Sequence, residues 1–300
     1  MKNSISKIAI IIRAINEHPL ANKHKLKSYS KFIYFQLSQF FYPKIRKVLF
    51  VDNTYLCVKK GMTGATGNIY CGLHEFEDMS FLLHFLTEED TFVDVGANIG
   101  SYTILASGVK KATTVSIEPV PITFEYLKKN VATNGLVNKT KLWNVAAGAK
   151  KDIIKFTSEF DTVNHALSND EKNKQYIKVD VFPLSDILKA ENNIRLIKID
   201  VEGFETDVLK GMDLLLKTND LKAIIIELNG SGNRYGYDEK KIDEKLKKNN
   251  FFPYSYNPFK RILTTLNEIS DKNTIYISDI DFVRQRLISA GNINIFSESF

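Results

Sequence analysis

The stretch that decides the fold is Phe92-Val93-Asp94-Val95-Gly96-Ala97-Asn98-Ile99-Gly100-Ser101. An apolar run precedes a short turn that is bracketed by two glycines, and a helical pattern follows from Tyr102 to Ser107. Glycine at 96 lets the backbone turn sharply, and glycine at 100 lets a ligand approach the main chain closely. A strand, a glycine turn and a helix start in this order indicate a nucleotide-cofactor site at the carboxyl end of a parallel strand.

The charge of this turn favours S-adenosylmethionine over NAD. A dinucleotide site needs the pattern G-x-G-x-x-G, because its pyrophosphate rests on bare backbone at the helix start. Here Asn98 stands between Gly96 and Gly100, where the middle glycine would be. Asp94 would repel a pyrophosphate and attract the ammonium group of S-adenosylmethionine. On this motif alone, a purely structural turn without a ligand is the alternative.

Two further strands are expected to deliver cofactor contacts. The β-branched run from Thr113 to Ile117 ends in Glu118, which lies 22 residues after Gly96. That spacing suits an acid that accepts hydrogen bonds from both ribose hydroxyls. The next strand ends near Asn144, whose amide could bond the adenine edge, and small residues follow it. An ordinary strand-end acid and a turn-forming asparagine are the alternatives.

Strands and helices alternate along most of the chain. Core strands are predicted at 92–95, 113–117, 140–145, 178–182, 195–199 and 222–228, with helices at 100–107, 121–134, 184–190, 204–216 and 238–249. This alternation predicts an α/β fold with a mostly parallel sheet that is covered on both faces. The last two predicted strands, 251–256 and 273–278, are joined without a long helix, so a hairpin there would make one strand antiparallel.

The first 85 residues are expected to form a cap of helices and a β-hairpin, and residues 86–300 the cofactor-binding domain. The cap pattern gives helices at 5–15 and 25–41, a strand at 48–58, a glycine-punctuated loop from 61 to 67 and a helix at 77–86. The helix at 25–41 mixes lysines with aromatic residues. We interpret it as a cap helix that packs its aromatic side chains on the core. Peripheral contact with an anionic membrane surface is the alternative.

The next two core strands end in polar groups that are expected to meet the acceptor. Asp200 and Glu202 follow one strand, and Glu227 and Asn229 follow the other. Close acidic groups raise each other's pKa, so Asp200 or Glu202 could act as a general base on a hydroxyl. Glu227 and Asn229 are assigned to the substrate. Asp200, Glu227 and Asn229 are also oxygen ligands of the kind that Mg²⁺ or Ca²⁺ prefers, but the set is incomplete and no metal is expected.

Two histidines are further candidates. His165 lies in a polar insertion at 149–178 that could fold over the strand ends as a lid. Its imidazole would be a ready base near neutral pH, so it is assigned a catalytic role. His74 and Glu75 could approach the acceptor from the cap and are assigned to the substrate. Structural roles are the alternative for both histidines.

Four motifs together resemble the FkbM-type family of class I S-adenosylmethionine-dependent methyltransferases. They are DVGANIG at 94–100, IEP at 117–119, IKIDVEGFE at 197–205 and IIIELN at 224–229. The resemblance runs from about Gly61 to Phe282 and implies a Rossmann-like sheet with one antiparallel strand. The segment 61–79 is similar to one branch of the family, found beside polysaccharide-synthesis genes. The resemblance therefore implies O-methylation of a sugar hydroxyl in a surface polysaccharide or glycolipid.

Composition limits the partners and the location. Of the 300 residues 44% are hydrophobic and 25% are charged, as in a globular protein, and the net charge of +6 comes from scattered lysines. Nucleic acid is therefore not expected as a partner; a small molecule or glycan is. Cys57 and Cys71 have no metal-ligand spacing and are interpreted as reduced thiols of a cytoplasmic protein. The oligomeric state is not predicted.

Two alternative functions remain open. They are an NAD-dependent sugar oxidoreductase or epimerase and a non-catalytic cofactor-binding scaffold.

Overall fold

The computed structural model describes residues 2–157, 165–167, 175–269 and 273–300, with side chains from Ile8 onward. Its helices are α1 Lys2–Glu17, α2 Lys25–Phe41, α3 Thr63–Cys71, α4 Phe76–Phe85, α5 Ser101–Ile104, α6 Pro121–Thr133, α7 Leu184–Ile187, α8 Glu205–Lys210, α9 Glu239–Lys248 and α10 Ile280–Ser289. Its strands are β1 Arg46–Leu49, β2 Tyr55–Val58, β3 Thr91–Val95, β4 Thr113–Ile117, β5 Thr140–Trp143, β6 Ala146–Ala147, β7 Asp152–Thr157, β8 Tyr176–Phe182, β9 Ile194–Ile199, β10 Ala223–Glu227, β11 Phe252–Asn257, β12 Ile262–Thr265, β13 Asn273–Ile277, β14 Asn294–Ile295 and β15 Glu298–Ser299. Short 3₁₀ helices cover Ala21–His24, Leu215–Lys217 and Ser231–Tyr235, and a π-helical turn, Leu105–Val109, extends α5.

Eight strands form the central sheet, in the order β12-β11-β13-β10-β9-β3-β4-β5. Six of them run parallel to one another, and β13 lies antiparallel between β10 and β11. The predicted α/β fold, with a mostly parallel sheet and an antiparallel strand near its end, is confirmed. The edge strand β12 adds a second antiparallel strand that the sequence did not predict. Its four residues bury only Leu263, so the pattern is too weak to indicate a strand.

The centre of the sheet is apolar because helices cover both of its faces. Neighbouring residues of a strand point to opposite faces. Phe92 therefore belongs to a hydrophobic cluster with α4 and α10, while Val93 belongs to a second cluster with α9. Parallel strands that are buried on both faces end together at one edge of the sheet, and the polar residues at that edge form the candidate site.

The N-terminal elements differ from the prediction in two places. The β-hairpin expected in this region is present, with β1 antiparallel to β2, but the stretch 48–58 that was predicted as one strand is broken where Asp52 takes a positive φ of 51° in the turn. The glycine-punctuated segment forms the helix α3 instead of a loop. A Cβ at Gly67 would lie 2.3 Å from the His74 ring, so here glycine permits close packing within a helix. The division of the chain after residue 85 stays a prediction.

The polar insertion contributes to a small second sheet. Its strand β7 pairs antiparallel with β8, and β8 pairs parallel with β6. The helix α10 and the terminal hairpin of β14 and β15 were also not predicted. Across the described ranges, no helix combines the length and the apolar character needed to cross a membrane.

Candidate active site

The carboxyl ends of β3, β4 and β9 open into one cavity. It encloses about 690 Å³, including space that is open to solvent. The predicted site residues among its lining are Gly96, Asn98, Glu118, Asp200 and Glu202. The structure therefore brings these five predicted residues together, at the edge where open α/β sheets bind their ligands.

The turn after β3 requires glycine at its first position. Gly96 has a φ of +79°, and a Cβ there would lie 1.8 Å from the backbone oxygen of Asp200. The N–H groups of Gly96 and Ala97 both donate to the backbone oxygen of Ile117, each at 2.9 Å. At the end of the turn Gly100 has a φ of +92° and packs against Leu127. The turn is therefore fixed between the ends of β4 and β9.

Glu118 is held in the cavity by backbone donors. Its Oε2 accepts a hydrogen bond from the N–H of Asn98, and its Oε1 accepts one from the N–H of Val120, each at 2.9 Å. Burial raises the pKa of this carboxyl to about 7, although the two backbone donors favour its charged form. Each oxygen keeps a free lone pair, so the group could still accept from two ribose hydroxyls.

Asp94 lies beneath the turn. Its side chain is buried, and its Oδ2 accepts hydrogen bonds from the N–H of Thr103 at 3.1 Å and from the Oγ1 of Thr103 at 2.7 Å. Burial raises the pKa of Asp94 to about 6. The carboxyl thus ties β3 to the following helix, and it is not among the described residues that line the cavity. Its direct contact with a cofactor ammonium group stays a prediction.

Asn144 binds the backbone with its amide protons. Its Nδ2 donates to the backbone oxygens of Glu118 and Pro119, at 2.8 and 3.1 Å. These bonds fit the turn-forming alternative, while the amide oxygen can still accept a hydrogen bond, so the predicted contact with adenine stays a prediction. The side chains that line the cavity nearby are the small Ala146 and Ala147, which matches the expected room for a ring.

Three carboxylates from two neighbouring strand ends lie together. Asp200, Glu202 and Glu227 each offer an oxygen within 4.8 Å of the others. Burial, followed by the charges of Asp200 and Glu202, raises the pKa of Glu227 to about 9. Among the described residues, no group forms a hydrogen bond with the buried Oε2 of Glu227. This acidic cluster, defined by the three residues, could bind a proton, a cation or a donor group of a substrate.

Glu202, which was not in the predicted metal set, joins this acidic cluster because of the turn after β9. Glu202 and Gly203 both take a positive φ, of 54° and 103°. The buried Glu205 fixes the turn, since its Oε1 accepts from the N–H groups of Val201 and Gly203, at 3.2 and 3.1 Å. The predicted third ligand, Asn229, is exposed, and its Oδ1 accepts from the N–H of Ser231. Its assigned contact with the substrate stays a prediction.

Lys198 is the site residue that the sequence reasoning missed. Its buried Nζ lies 2.6 Å from the Oδ2 of Asp200, and its backbone pairs with Asp94 across β9 and β3. Burial alone would lower the pKa of Lys198, but the charges of Asp200, Glu75 and Asp94 outweigh it and hold the pKa above its usual range. The sequence pattern that could have identified Lys198 is a lysine within an apolar strand, because a buried charge requires a partner.

The cap brings Glu75 towards the acidic cluster. The Oε1 of Glu75 accepts a hydrogen bond from the Nδ2 of Asn273 at 3.1 Å. Asn273 in turn pairs with Glu227 across β13 and β10. Asn273 therefore links Glu75 to the strand end that carries Glu227. His74 is exposed in the loop before α4, and its assigned contact with the substrate stays a prediction.

His165 is buried beside the small sheet. Its backbone N–H donates to the Oγ1 of Thr157 at 3.1 Å. The adjacent Ala166 packs with Phe156 and Phe204, which line the cavity. The segment 165–167 thus borders the cavity from the side of the small sheet. Of the insertion 149–178 that was predicted to form a lid, residues 158–164 and 168–174 lie outside the described residues. The lid and a role of His165 as a base stay predictions.

The strand order, the glycine turn and the acid at 118 define a class I methyltransferase fold. A family model described as "Methyltransferase FkbM domain" matches residues 94–253. The chain belongs to the FkbM methyltransferase family. This confirms the family predicted from the four motifs, and with it the class of S-adenosylmethionine-dependent methyltransferases.

Individual relatives match parts of the chain. "Methyltransferase sdnD" of Sordaria araneosa is 28% identical over 172 residues, which are 46% of this chain and 66% of that protein. "Hexuronic acid methyltransferase AglP" of Haloferax volcanii is 26% identical over 183 residues, 57% of this chain and 67% of that protein. The solved structure of M. capricolum TrmK with S-adenosyl-homocysteine matches with a TM-score of 0.38 and 12% identity, over 67% of this chain and 66% of that one. The chain thus spans about two thirds of the length of these proteins.

Proposed function

We propose that this protein transfers a methyl group from S-adenosylmethionine to a sugar hydroxyl of a surface polysaccharide or glycolipid, in the cytoplasm. The observation that carries the proposal is that one cavity joins the turn at Gly96 and the carboxyl of Glu118 to Asp200 and Glu202. Methyl transfer requires the donor and the acceptor to be aligned in one enclosed space. The relative AglP is named a hexuronic acid methyltransferase, which supports a sugar acceptor.

The donor side of the cavity fits the proposed cofactor. Glu118 would accept hydrogen bonds from the ribose hydroxyls, and the small Ala146 and Ala147 leave room for adenine. When bound, S-adenosylmethionine supplies a methyl group on a positively charged sulfonium. The carboxyls of Asp94 and Glu118 suit that charge and oppose a pyrophosphate. Together with membership of the family, this argues against the NAD-dependent alternative.

The acceptor side would orient the hydroxyl and remove its proton. With a pKa of about 9, Glu227 holds a proton at neutral pH and can donate a hydrogen bond. Asp200, which is anchored by Lys198, and Glu202 face the cavity and are the proposed bases. His165 at the border of the cavity is the further candidate. The acids on the acceptor side also argue against a scaffold without turnover, because binding the cofactor alone requires no base at that position.

The charge of the acceptor side favours a neutral sugar. Asp200 and Glu202 face the cavity, and the buried Lys198 is already paired with Asp200. A sugar that carries its own carboxylate would be repelled by these groups. We therefore expect a neutral acceptor to be preferred over a hexuronate, unlike the acceptor that the name of AglP indicates.

The test is transfer of a labelled methyl group to a panel of acceptors. The panel contains methyl glycosides of neutral sugars and of hexuronates, together with extracted surface glycans and glycolipids. We expect label in a neutral glycan, and labelling that is slower by about 10²- to 10⁴-fold after the substitution Asp200→Asn. Asp213→Asn is the matched control, because Asp213 is exposed and pairs only with a surface lysine. Cofactor binding without transfer to any hydroxyl of the panel would contradict the proposal and favour the scaffold.

A further inference from the structure

Helix α2 is apolar on two opposite faces. One face packs on the core, where Phe32 and Phe35 contact the ring of Tyr70. The large side chains exposed on the other face are Leu26, Ile33, Tyr34, Leu37, Phe40 and Phe41, and they range from 54% to 88% exposed. At 100° per residue these six lie within an arc of about 120°. A helix with an apolar stripe on each side is expected to have a partner on its outer side as well.

The exposed stripe continues beyond the helix. Tyr42 is 68% exposed, and the partly exposed Ile45 lines a surface groove of about 1410 Å³. Ile122 and Val137, both more than half exposed, line the same groove. We call the six stripe residues and these four the α2 surface. Large apolar side chains that are exposed together on one helix mark an interaction site.

The segment that contains α2 carries only positive charge, and the groove beyond it has, among its described residues, one acid, Glu125, which pairs with Lys128. Between His18 and Val51 there are seven lysines and arginines and no aspartate or glutamate. Three of the seven contact the C-terminal hairpin, namely Lys23, Lys27 and Lys31. Lys25, Lys44 and Lys47 are exposed beside the stripe. The partner of this surface should therefore be both apolar and anionic.

We propose that the α2 surface docks on an anionic lipid membrane. An amphipathic helix with lysines beside aromatic and aliphatic residues lies in the plane of the interface, with its apolar side chains among the acyl chains. A second copy is the weaker occupant, since a two-fold contact would bring together two segments that each carry seven cationic residues and no acidic one. The membrane meets both requirements, because its headgroups pair with the lysines and its interior accepts the stripe.

The test is sedimentation of the full chain with vesicles of phosphatidylcholine, with and without phosphatidylglycerol. We expect binding to the anionic vesicles that weakens as salt is added. Phe40→Ser with Phe41→Ser should lower the partition coefficient by about tenfold or more, because two large apolar side chains no longer insert. Lys44→Gln with Lys47→Gln should weaken binding to anionic vesicles alone. Leu214→Ser is the matched control, since Leu214 is 70% exposed outside the α2 surface.

Results of two kinds would overturn the proposal. One is a lack of binding to anionic vesicles, or binding that survives the double serine variant. The other is a dimer in solution that the double serine variant disrupts while vesicles have no effect, which would assign the α2 surface to a second copy. An unchanged melting temperature and unchanged binding of S-adenosylhomocysteine show that the variants are folded. These readouts do not depend on methyl transfer, so the docking proposal stands or fails independently of the proposed function.

Discussion

The donor and acceptor sides of the cavity hold their carboxylates in different ways. On the donor side, Glu118 in the cavity and Asp94 beneath the adjoining turn each accept two hydrogen bonds from the chain itself. On the acceptor side, Asp200 depends on one lysine, and no described group satisfies the Oε2 of Glu227. A buried polar group without a hydrogen-bond partner costs free energy. The carboxylates of the donor side have such partners without a ligand, whereas on the acceptor side a ligand would supply the missing one. Changes on the donor side should therefore alter cofactor affinity, and changes on the acceptor side should alter turnover.

The substitution Gly96→Ala should have the largest effect. Its Cβ would lie 1.8 Å from the backbone oxygen of Asp200, and alanine disfavours the φ of +79°. We expect loss of cofactor binding and a fall of about 2 kcal/mol or more in the free energy of unfolding, measured by urea denaturation. Gly291→Ala is the control, because no atom lies within 4 Å of its Cβ position. Normal cofactor affinity in Gly96→Ala would show that the turn is not the binding element.

Asp200→Asn should separate the two sides of the cavity. Loss of a general base lowers the turnover number by about 10²- to 10⁴-fold, whereas the affinity for S-adenosylmethionine should change little because Glu118 is untouched. Single-turnover rates and binding titrations of the same sample measure both quantities. Equal losses in affinity and rate would mean that Asp200 belongs to the donor side.

Glu118→Gln should give the converse result. Replacing a carboxylate that accepts hydrogen bonds removes about 1.5 to 3 kcal/mol, so the Kd for S-adenosylmethionine should rise about tenfold to hundredfold. Turnover at saturating cofactor should change less than Kd. Glu125→Gln, at an exposed position of α6, is the control and should leave the Kd unchanged. An unaltered Kd in Glu118→Gln would remove this residue from the cofactor site.

Cofactor affinity should depend on pH. Burial raises the pKa of Glu118 to about 7 and that of Asp94 to about 6, and protonation removes the charge that attracts the cofactor. The Kd for the cofactor should therefore rise as the pH falls from about 8 to about 6. Below the pKa of each carboxyl, its protonation should raise the Kd by up to about tenfold per pH unit. Glu118→Gln should lack the step near pH 7. A Kd that is constant over this range would contradict the anionic role of Glu118.

Removal of divalent ions should have the smallest effect. The acidic cluster is expected to work as a proton acceptor, so EDTA should leave the rate of methyl transfer unchanged. Inhibition by EDTA that added Mg²⁺ reverses would instead identify Asp200, Glu202 and Glu227 as ligands of a metal ion.

The donor side was predictable from sequence because local patterns specify it. The spacing from Gly96 to Glu118 follows from one strand, one helix and a second strand, and each has a clear pattern. The direction of β13 could also be predicted, because no long helix precedes it. Local patterns also predicted that Asp200 and Glu227 lie at the ends of two core strands, because each follows a clear apolar run.

The acceptor side was less predictable because it depends on contacts between distant segments. Sequence reasoning treated Lys198 as part of an apolar strand and overlooked that Asp200, two residues later, lies on the same face. The pairing of β9 with β3 then brings Asp94 beside the lysine as well. The contact of Glu75 with Asn273 joins residues that are far apart in the chain. Asn144 shows that residue type alone does not predict the partner of a side chain, since an exposed amide can bond the backbone as well as a ligand.

Calorimetric titration of the purified protein with S-adenosylhomocysteine and with NAD tests most directly the claim that the cavity at Gly96 and Glu118 is an S-adenosylmethionine site. We predict saturable binding of S-adenosylhomocysteine and no heat of binding for NAD. Saturable binding of NAD, with none for S-adenosylhomocysteine, would contradict the assignment of the site.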